Sequence, residues 1–104
     1  MVEFVEFTAT KYAEFTLISF QILGDGILSP SALAELVPPA IDNPSKGVVI
    51  SGRGPVWLFC HLAHHYHPTA WVGTFAPSEG GAVVVARHSS SAPPLGAVVA
   101  AAAE

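Results

Sequence analysis

Four histidines fall within the seven residues from His61 to His67. His61, His64 and His65 stand at i, i+3 and i+4, which is one face of a helix, and His67 follows just beyond. Imidazoles in such a group can hold a metal ion. They can also accept and return a proton near neutral pH. Histidines in the last turn of a helix complement the negative end of its dipole without any ligand, but four are more than capping needs. The nearest acidic residue that follows is Glu79, so the spacing does not complete a metal set.

A second constellation lies just upstream. The apolar run Gly47 to Ser51 (GVVIS) leads into Ser51-Gly52-Arg53-Gly54 and then Pro55. A strand that runs through a glycine turn into a helix N-terminus offers unpaired N–H groups and the positive end of a dipole to an anion. Glycines allow close backbone approach, and an arginine fork matches two phosphate oxygens. Ser51, Gly52, Arg53 and Gly54 are therefore the candidate ligand-binding residues. The string lacks the Gly-Lys-Ser/Thr end of a Walker A loop and is not G-x-G-x-x-G. A plain strand-to-helix turn with a surface arginine is the competing reading. Ser29, Ser51 and Ser89 to Ser91 show no G-x-S-x-G elbow. Arg87-His88-Ser89 ends a strand, and His88 either reaches a site at the sheet edge or is simply exposed there.

These residues need a frame. Phe15 to Leu23 alternates as a strand. Ser31 to Val37 reads as a short helix, capped by Ser29 or Ser31 and stopped by Pro38-Pro39. Gly47 to Ser51 is a strand buried on both faces. Pro55 to His65 is the strongest helix, since proline suits its first position and Pro68 forbids continuation. Ala70 to Phe75 and Gly81 to Arg87 are strands joined by a glycine-rich turn, and Gly96 to Ala100 has room for one more. The order β-α-β-α-β-β predicts an α/β (α+β) sandwich, one sheet with two helices packed on it, with a ferredoxin-like arrangement as the nearest common architecture. Trp57, Leu58, Phe59 and Leu62 are expected in the core, and Cys60 is expected to be buried among them.

Helix length separates the two constellations. Eleven residues from Pro55 to His65 span roughly 17 Å at 1.5 Å per residue, with Arg53 at one end and the histidines at the other. One subunit cannot easily bring both to one phosphate. A shared reaction therefore predicts a second copy packed head to tail.

The chain has 104 residues, one domain's worth (1–104). Hydrophobic residues make up 51%, charged residues only 12%, and the net charge is −4. The composition is that of a core-rich globular chain, and the acidic balance argues against duplex DNA or a membrane surface as partner. A single cysteine cannot form an internal disulfide or a cysteine-based zinc site. The start MVEFVEF carries Glu3 and Glu6 where a signal peptide needs positive charge, and no apolar run approaches a membrane span. A cytoplasmic protein is the expectation.

Three strings, GVVISGRGPVWL (47–58), LAHHYHPT (62–69) and GAVVVARHS (81–89), resemble a small CRISPR-associated ring nuclease family. It is the ferredoxin-like, manganese-dependent, tetramerising type, found alone or fused to an AAA-type ATPase-like domain. The matched stretches lie within 46–89, somewhat under half the chain. The resemblance implies a phosphodiesterase that opens cyclic tetra-adenylate by attack of a ribose 2′-hydroxyl on the adjacent phosphorus and so ends antiviral signalling. It implies homodimers that stack head to tail, as a tetramer, around the ring. It makes His67 the catalytic histidine and His64 its companion, both candidate ligands of Mn²⁺, with Ser51 to Gly54 and His88 against the ligand. The family carries an Asp-Pro-Arg string after the next strand, where this chain has Ala76-Pro77-Ser78. Loss of preorganised charge of that kind typically costs ~10²–10³ in rate. Glu79 is one residue too far on to be an obvious replacement. Two expectations follow: a ring nuclease, or a module that captures the same ring without efficient cleavage. A third, an interaction domain that binds no nucleotide, predicts that Arg53→Ala changes surface charge alone.

Overall fold

Val48, Val49 and Ile50 are consecutive and all fully buried, so their strand is covered on both faces. That strand, β3 (Gly47–Gly52), sits third in a six-stranded sheet in a computed structural model that describes residues 4–101. The others are β1 (Val5–Lys11), β2 (Phe15–Ile22), β4 (Trp71–Ala76), β5 (Gly81–Arg87) and β6 (Val98–Val99), with one α-helix, α1 (Val56–His65), between β3 and β4. Glu3 and the end of the expected C-terminal tail (102–104) lie outside the described residues. No helix among the described residues is long and apolar enough to cross a membrane.

The strands lie side by side in chain order. β1 pairs antiparallel with β2; β2, β3 and β4 form a parallel ladder; β5 and β6 return antiparallel. Parallel neighbours need crossovers, and these are right-handed almost without exception. Two crossovers stepping in the same direction must therefore cover the same face. They do: Leu28 and Ala32 from the first connection and Leu58, Leu62 and Tyr66 around α1 share one core cluster with Ile18, Val48, Ile50 and Val72. The opposite face holds a second cluster of Phe15, Leu17, Val49, Trp71, Ala82 and Val84, against which Ala92, Ala97, Val99 and Ala101 of the C-terminal segment pack.

The ferredoxin-like expectation is overturned. The protein is a mostly β, mixed six-stranded sheet with one α-helix rather than a two-helix β-α-β-α-β-β sandwich. The expected helix at Ser31 to Val37 is a 3₁₀ segment, Pro30–Glu35. Pro30 and Pro38-Pro39 leave too few residues between them to repay the cost of nucleating an α-helix. An unexpected strand, β1, precedes β2. Cys60 is exposed rather than buried, because Leu58 and Leu62 set the inward face of α1 and position 60 points about 160° away from either. Trp57 and Phe59 pack against the first cluster while only half-buried. The boundaries of β5 agree with expectation, and those of β2, β3, α1 and β4 differ from it by one or two residues.

Candidate functional site

The C-terminal ends of β2, β3 and β4 line up along one edge of the sheet, with the start of β5 beside them. A cleft of about 840 Å³ opens there, lined among others by Gln21, Ser51, Gly52, Arg53, Phe75 and Pro77. Arg53 is exposed and has no ion-pair partner among the described residues, where Lys11–Asp42 is the sole salt bridge. Next to it α1 begins at Pro55 with no side-chain cap and no acidic residue in its first turn. The positive end of the dipole is thus unneutralised locally, although the first turn does not line the cleft. Of the four candidate ligand-binding residues, Ser51, Gly52 and Arg53 line the cleft and Gly54 does not.

The two glycines have a packing role. Gly52 has φ +155°, and a Cβ there would lie 2.7 Å from the Phe20 carbonyl oxygen. A Cβ on Gly54 would lie 2.9 Å from the Phe20 ring. The loop is drawn tight over Phe20, and this fixes where the Arg53 backbone stands. The ring of Phe20 in turn meets Phe59 of α1 edge-on, with centroids 5.2 Å apart.

The histidines gather at the opposite edge. α1 runs antiparallel to the strands it joins and places His64 roughly 12 Å from the start of the helix. The His64 and His67 rings stack with centroids 5.6 Å apart and planes 13° from parallel. His88 closes on the other partner, its ring 5.1 Å from that of His67. His65 turns away and meets Tyr66 edge-on at 4.7 Å. His61 is half-buried on α1 and belongs to none of these pairs.

A buried frame sets this geometry. Tyr66 donates its hydroxyl to the Pro39 carbonyl at 2.7 Å, and burial raises its pKa to about 12. The Thr69 hydroxyl is buried and lies within donating distance of the Tyr66 carbonyl (2.8 Å) and the Trp71 carbonyl (3.1 Å). The His88 and Ser89 N–H groups both donate to the Ala70 carbonyl. His88 Nδ1 lies 3.4 Å from the Thr69 carbonyl, an acceptor that an Nδ1–H can meet. Arg87 is a structural residue. One of its guanidinium nitrogens lies 3.0–3.2 Å from the carbonyls of Ser89, Ser90 and Ala92 and holds the loop after His88.

Among the described residues, no group of three or more His, Cys, Asp or Glu is arranged to hold a metal ion. Mn²⁺ favours carboxylate, carbonyl and water oxygens, and the histidine cluster supplies imidazole nitrogens alone. Within one subunit this donor set does not fit Mn²⁺. The departures from the Asp-Pro-Arg string fall at the other edge. Ala76 ends β4, and Ser78 and Glu79 sit with Pro77 in a 3₁₀ turn beside the cleft.

Reading the residues alone missed Gln21 and Phe75. Both are strand residues whose faces become known only once the register is known. The contact of His88 with His67 was equally invisible, since it depends on the pairing of β4 with β5.

A family model described as CRISPR-associated protein (Cas_csx3) matches residues 21–100 of the chain. An uncharacterised protein of Aquifex aeolicus (strain VF5) is 48% identical to it over 77 residues, which cover 71% of this chain and 68% of that one.

Proposed function

The chain belongs to the Cas_csx3 family of CRISPR-associated proteins, and we propose from that premise that it binds cyclic tetra-adenylate and opens the ring slowly. The observation that carries this reading is the separation of two complementary half-sites. The cleft at one edge offers a guanidinium, backbone groups of a tight loop and an uncapped helix start nearby. The other edge offers three imidazoles in contact. The length of α1 keeps the two apart within a subunit. Copies stacked head to tail bring the histidines of one to the cleft of the next, so a ring of phosphates is gripped from one side and cleaved from the other.

In this reaction the ribose 2′-oxygen attacks the adjacent phosphorus. A bond forms between them, the bond from phosphorus to the 5′-oxygen breaks, and the products are a 2′,3′-cyclic phosphate and a 5′-hydroxyl. His67 accepts the 2′-hydroxyl proton, and the departing 5′-oxygen takes a proton from a solvent water, whose hydroxide is neutralised by the proton His67 gives up afterwards. His64 and His88 flank His67 and hold its ring in place. Arg53 binds the phosphate in the cleft and offsets its charge. No step is assigned to a metal.

Ala76 and Ser78 favour a second reading, capture without turnover, in which the protein acts as a sponge or sensor. Neither side chain can offset the charge that builds on phosphorus. The experiment uses radiolabelled cyclic tetra-adenylate with excess protein, run in parallel on a native gel and by denaturing chromatography. Retarded ring with linear product that His67→Ala abolishes supports the nuclease. Retarded ring that stays intact supports the capture module, and Ala76→Asp with Ser78→Arg is then expected to raise cleavage by about 10²–10³. A ring that migrates unbound at micromolar protein overturns both readings.

A further inference from the structure

Of the chain's four lysine and arginine residues, three stand at the histidine edge, where β1 and β5 end and β3 begins. Lys11 is paired there with Asp42. Arg87 is committed to the carbonyls of Ser89, Ser90 and Ala92. Lys46 immediately precedes β3, is exposed, and has no ion-pair partner among the described residues. Arg53, the fourth, lies at the cleft edge. Main-chain bonds tie Lys46 to the histidines. Its carbonyl accepts the Ala70 N–H at 3.1 Å, and the Ala70 carbonyl accepts the His88 N–H at 2.8 Å. Lys46, Ala70 and His88 thus stand side by side on three neighbouring segments, and His67 precedes Ala70 by three residues. Two strand spacings, roughly 10 Å, separate the main chains of Lys46 and His88, and a flexible four-carbon stem can reach across much of that distance.

A cavity of about 350 Å³ opens beside them, lined among others by Glu14, Lys46, Ala70, Trp71 and Ser91. Glu14 lies beyond ion-pair distance of Lys46, and its charge disfavours an anion inside the cavity. Lys46 is therefore suited to an anion at the rim, where Ala70 adjoins His88. We propose that Lys46 binds the non-bridging oxygens of the phosphate being cleaved, from the same subunit that supplies His67, an inference that rests on the nuclease reading above. Its ammonium offsets the charge that grows on those oxygens as the 2′-oxygen bonds to phosphorus, and it transfers no proton. Arg53 of the stacked copy faces the same phosphate from the opposite side. The junction then holds two cations, one from each copy, although Ala76 and Ser78 supply none.

The test measures single-turnover cleavage of cyclic tetra-adenylate and native-gel titration of the same ring for wild type, Lys46→Ala and Lys46→Arg, each first checked for an unchanged thermal melt. Lys46→Ala should lower the cleavage rate about 10²-fold, while the protein concentration that retards half the ring changes far less. Lys46→Arg should recover most of the rate. Mixing then locates the lesion. Lys46→Ala and Arg53→Ala fall on opposite edges, so an equal mixture should recover about a quarter of the wild-type rate. Lys46→Ala and His67→Ala fall on the same edge, so their mixture should be no faster than Lys46→Ala alone. The role of Lys46 is overturned, and the nuclease reading stands, if Lys46→Ala cleaves as fast as wild type. The same holds if it recovers when mixed with His67→Ala, or fails to recover when mixed with Arg53→Ala. Should wild type itself leave the ring intact, the nuclease reading falls and this proposal with it.

Discussion

His67 and His88 come from different elements, one past the end of α1 and one past the end of β5, yet their rings lie 5.1 Å apart. Two main-chain bonds to Ala70 hold the second histidine there, while the helix-end turn and buried Thr69 hold the first. The cluster is therefore a product of the sheet as much as of the helix. A proton-transfer role for His67 predicts that His67→Ala lowers cleavage of cyclic tetra-adenylate by about 10²–10⁴ while the retarded band persists. His88→Ala should lower cleavage by a smaller factor, because it removes a flanking ring rather than the base. Single-turnover chromatography of the linear product measures both. Equal rates for wild type and His67→Ala would remove His67 from the chemistry.

The opposite placement of Arg53 and His67 makes the proposed reaction a property of two copies. Arg53→Ala and His67→Ala proteins should each be nearly inactive alone. Mixed in equal amounts, they should recover about a quarter of the wild-type rate, because random stacking joins an intact cleft to an intact histidine cluster at one junction in four. A mixture no faster than its parents would show that each subunit works by itself.

The Ser51 to Gly54 loop depends on the absence of one carbon. Gly52→Ala adds a Cβ 2.7 Å from the Phe20 carbonyl oxygen at a φ of +155°, a backbone region that costs an L-residue about 1–3 kcal/mol. The expected result is a lower midpoint in urea together with weaker ring binding. Gly54→Ala meets the side chain of Phe20 rather than its backbone, and should cost less.

Tyr66 gives a prediction in pH. Its folded pKa is raised to about 12 from an ordinary value of 10.0 by burial, so the folded chain keeps a proton that the unfolded chain releases above pH 10. Stability is full below that pH and declines as the pH climbs toward 12. Tyr66→Phe removes the bond to Pro39 and should cost about 1 kcal/mol near neutrality. The gap between variant and wild type should narrow in alkali. Urea unfolding at pH 8 and pH 11 checks the sign, and a gap that widens would contradict it.

The central unit was legible because its signals are local. Three apolar residues in a row, a glycine turn, a proline and a second proline fix β3 and α1 to within a residue or two. The stack of His64 on His67 was not legible, because His67 lies in the turn beyond the last residue of α1. Other features depend on pairing between distant segments, which no window of sequence displays. β1 alternates as Val5, Phe7 and Ala9 against Glu6, Thr8 and Thr10, yet most of it stays exposed even when folded, and so weak a pattern reads as a strand only beside β2. The parallel ladder of β2, β3 and β4 replaces the expected ferredoxin-like arrangement for the same reason. Short helices between prolines mislead in a different way: the sequence from Ser31 to Val37 has the composition of an α-helix and lacks the length.

The order of the strands along the sheet is the order in which they are synthesised. Each strand that leaves the ribosome finds the edge it needs already present, formed by the strand before it. No segment must wait for a distant partner or thread past one already placed, and loop-closure entropy is met in small instalments. The exposed edge of the growing sheet is always covered by the next piece of chain, which shortens the time during which strands such as Gly47–Gly52, apolar on both faces, stand open to other molecules.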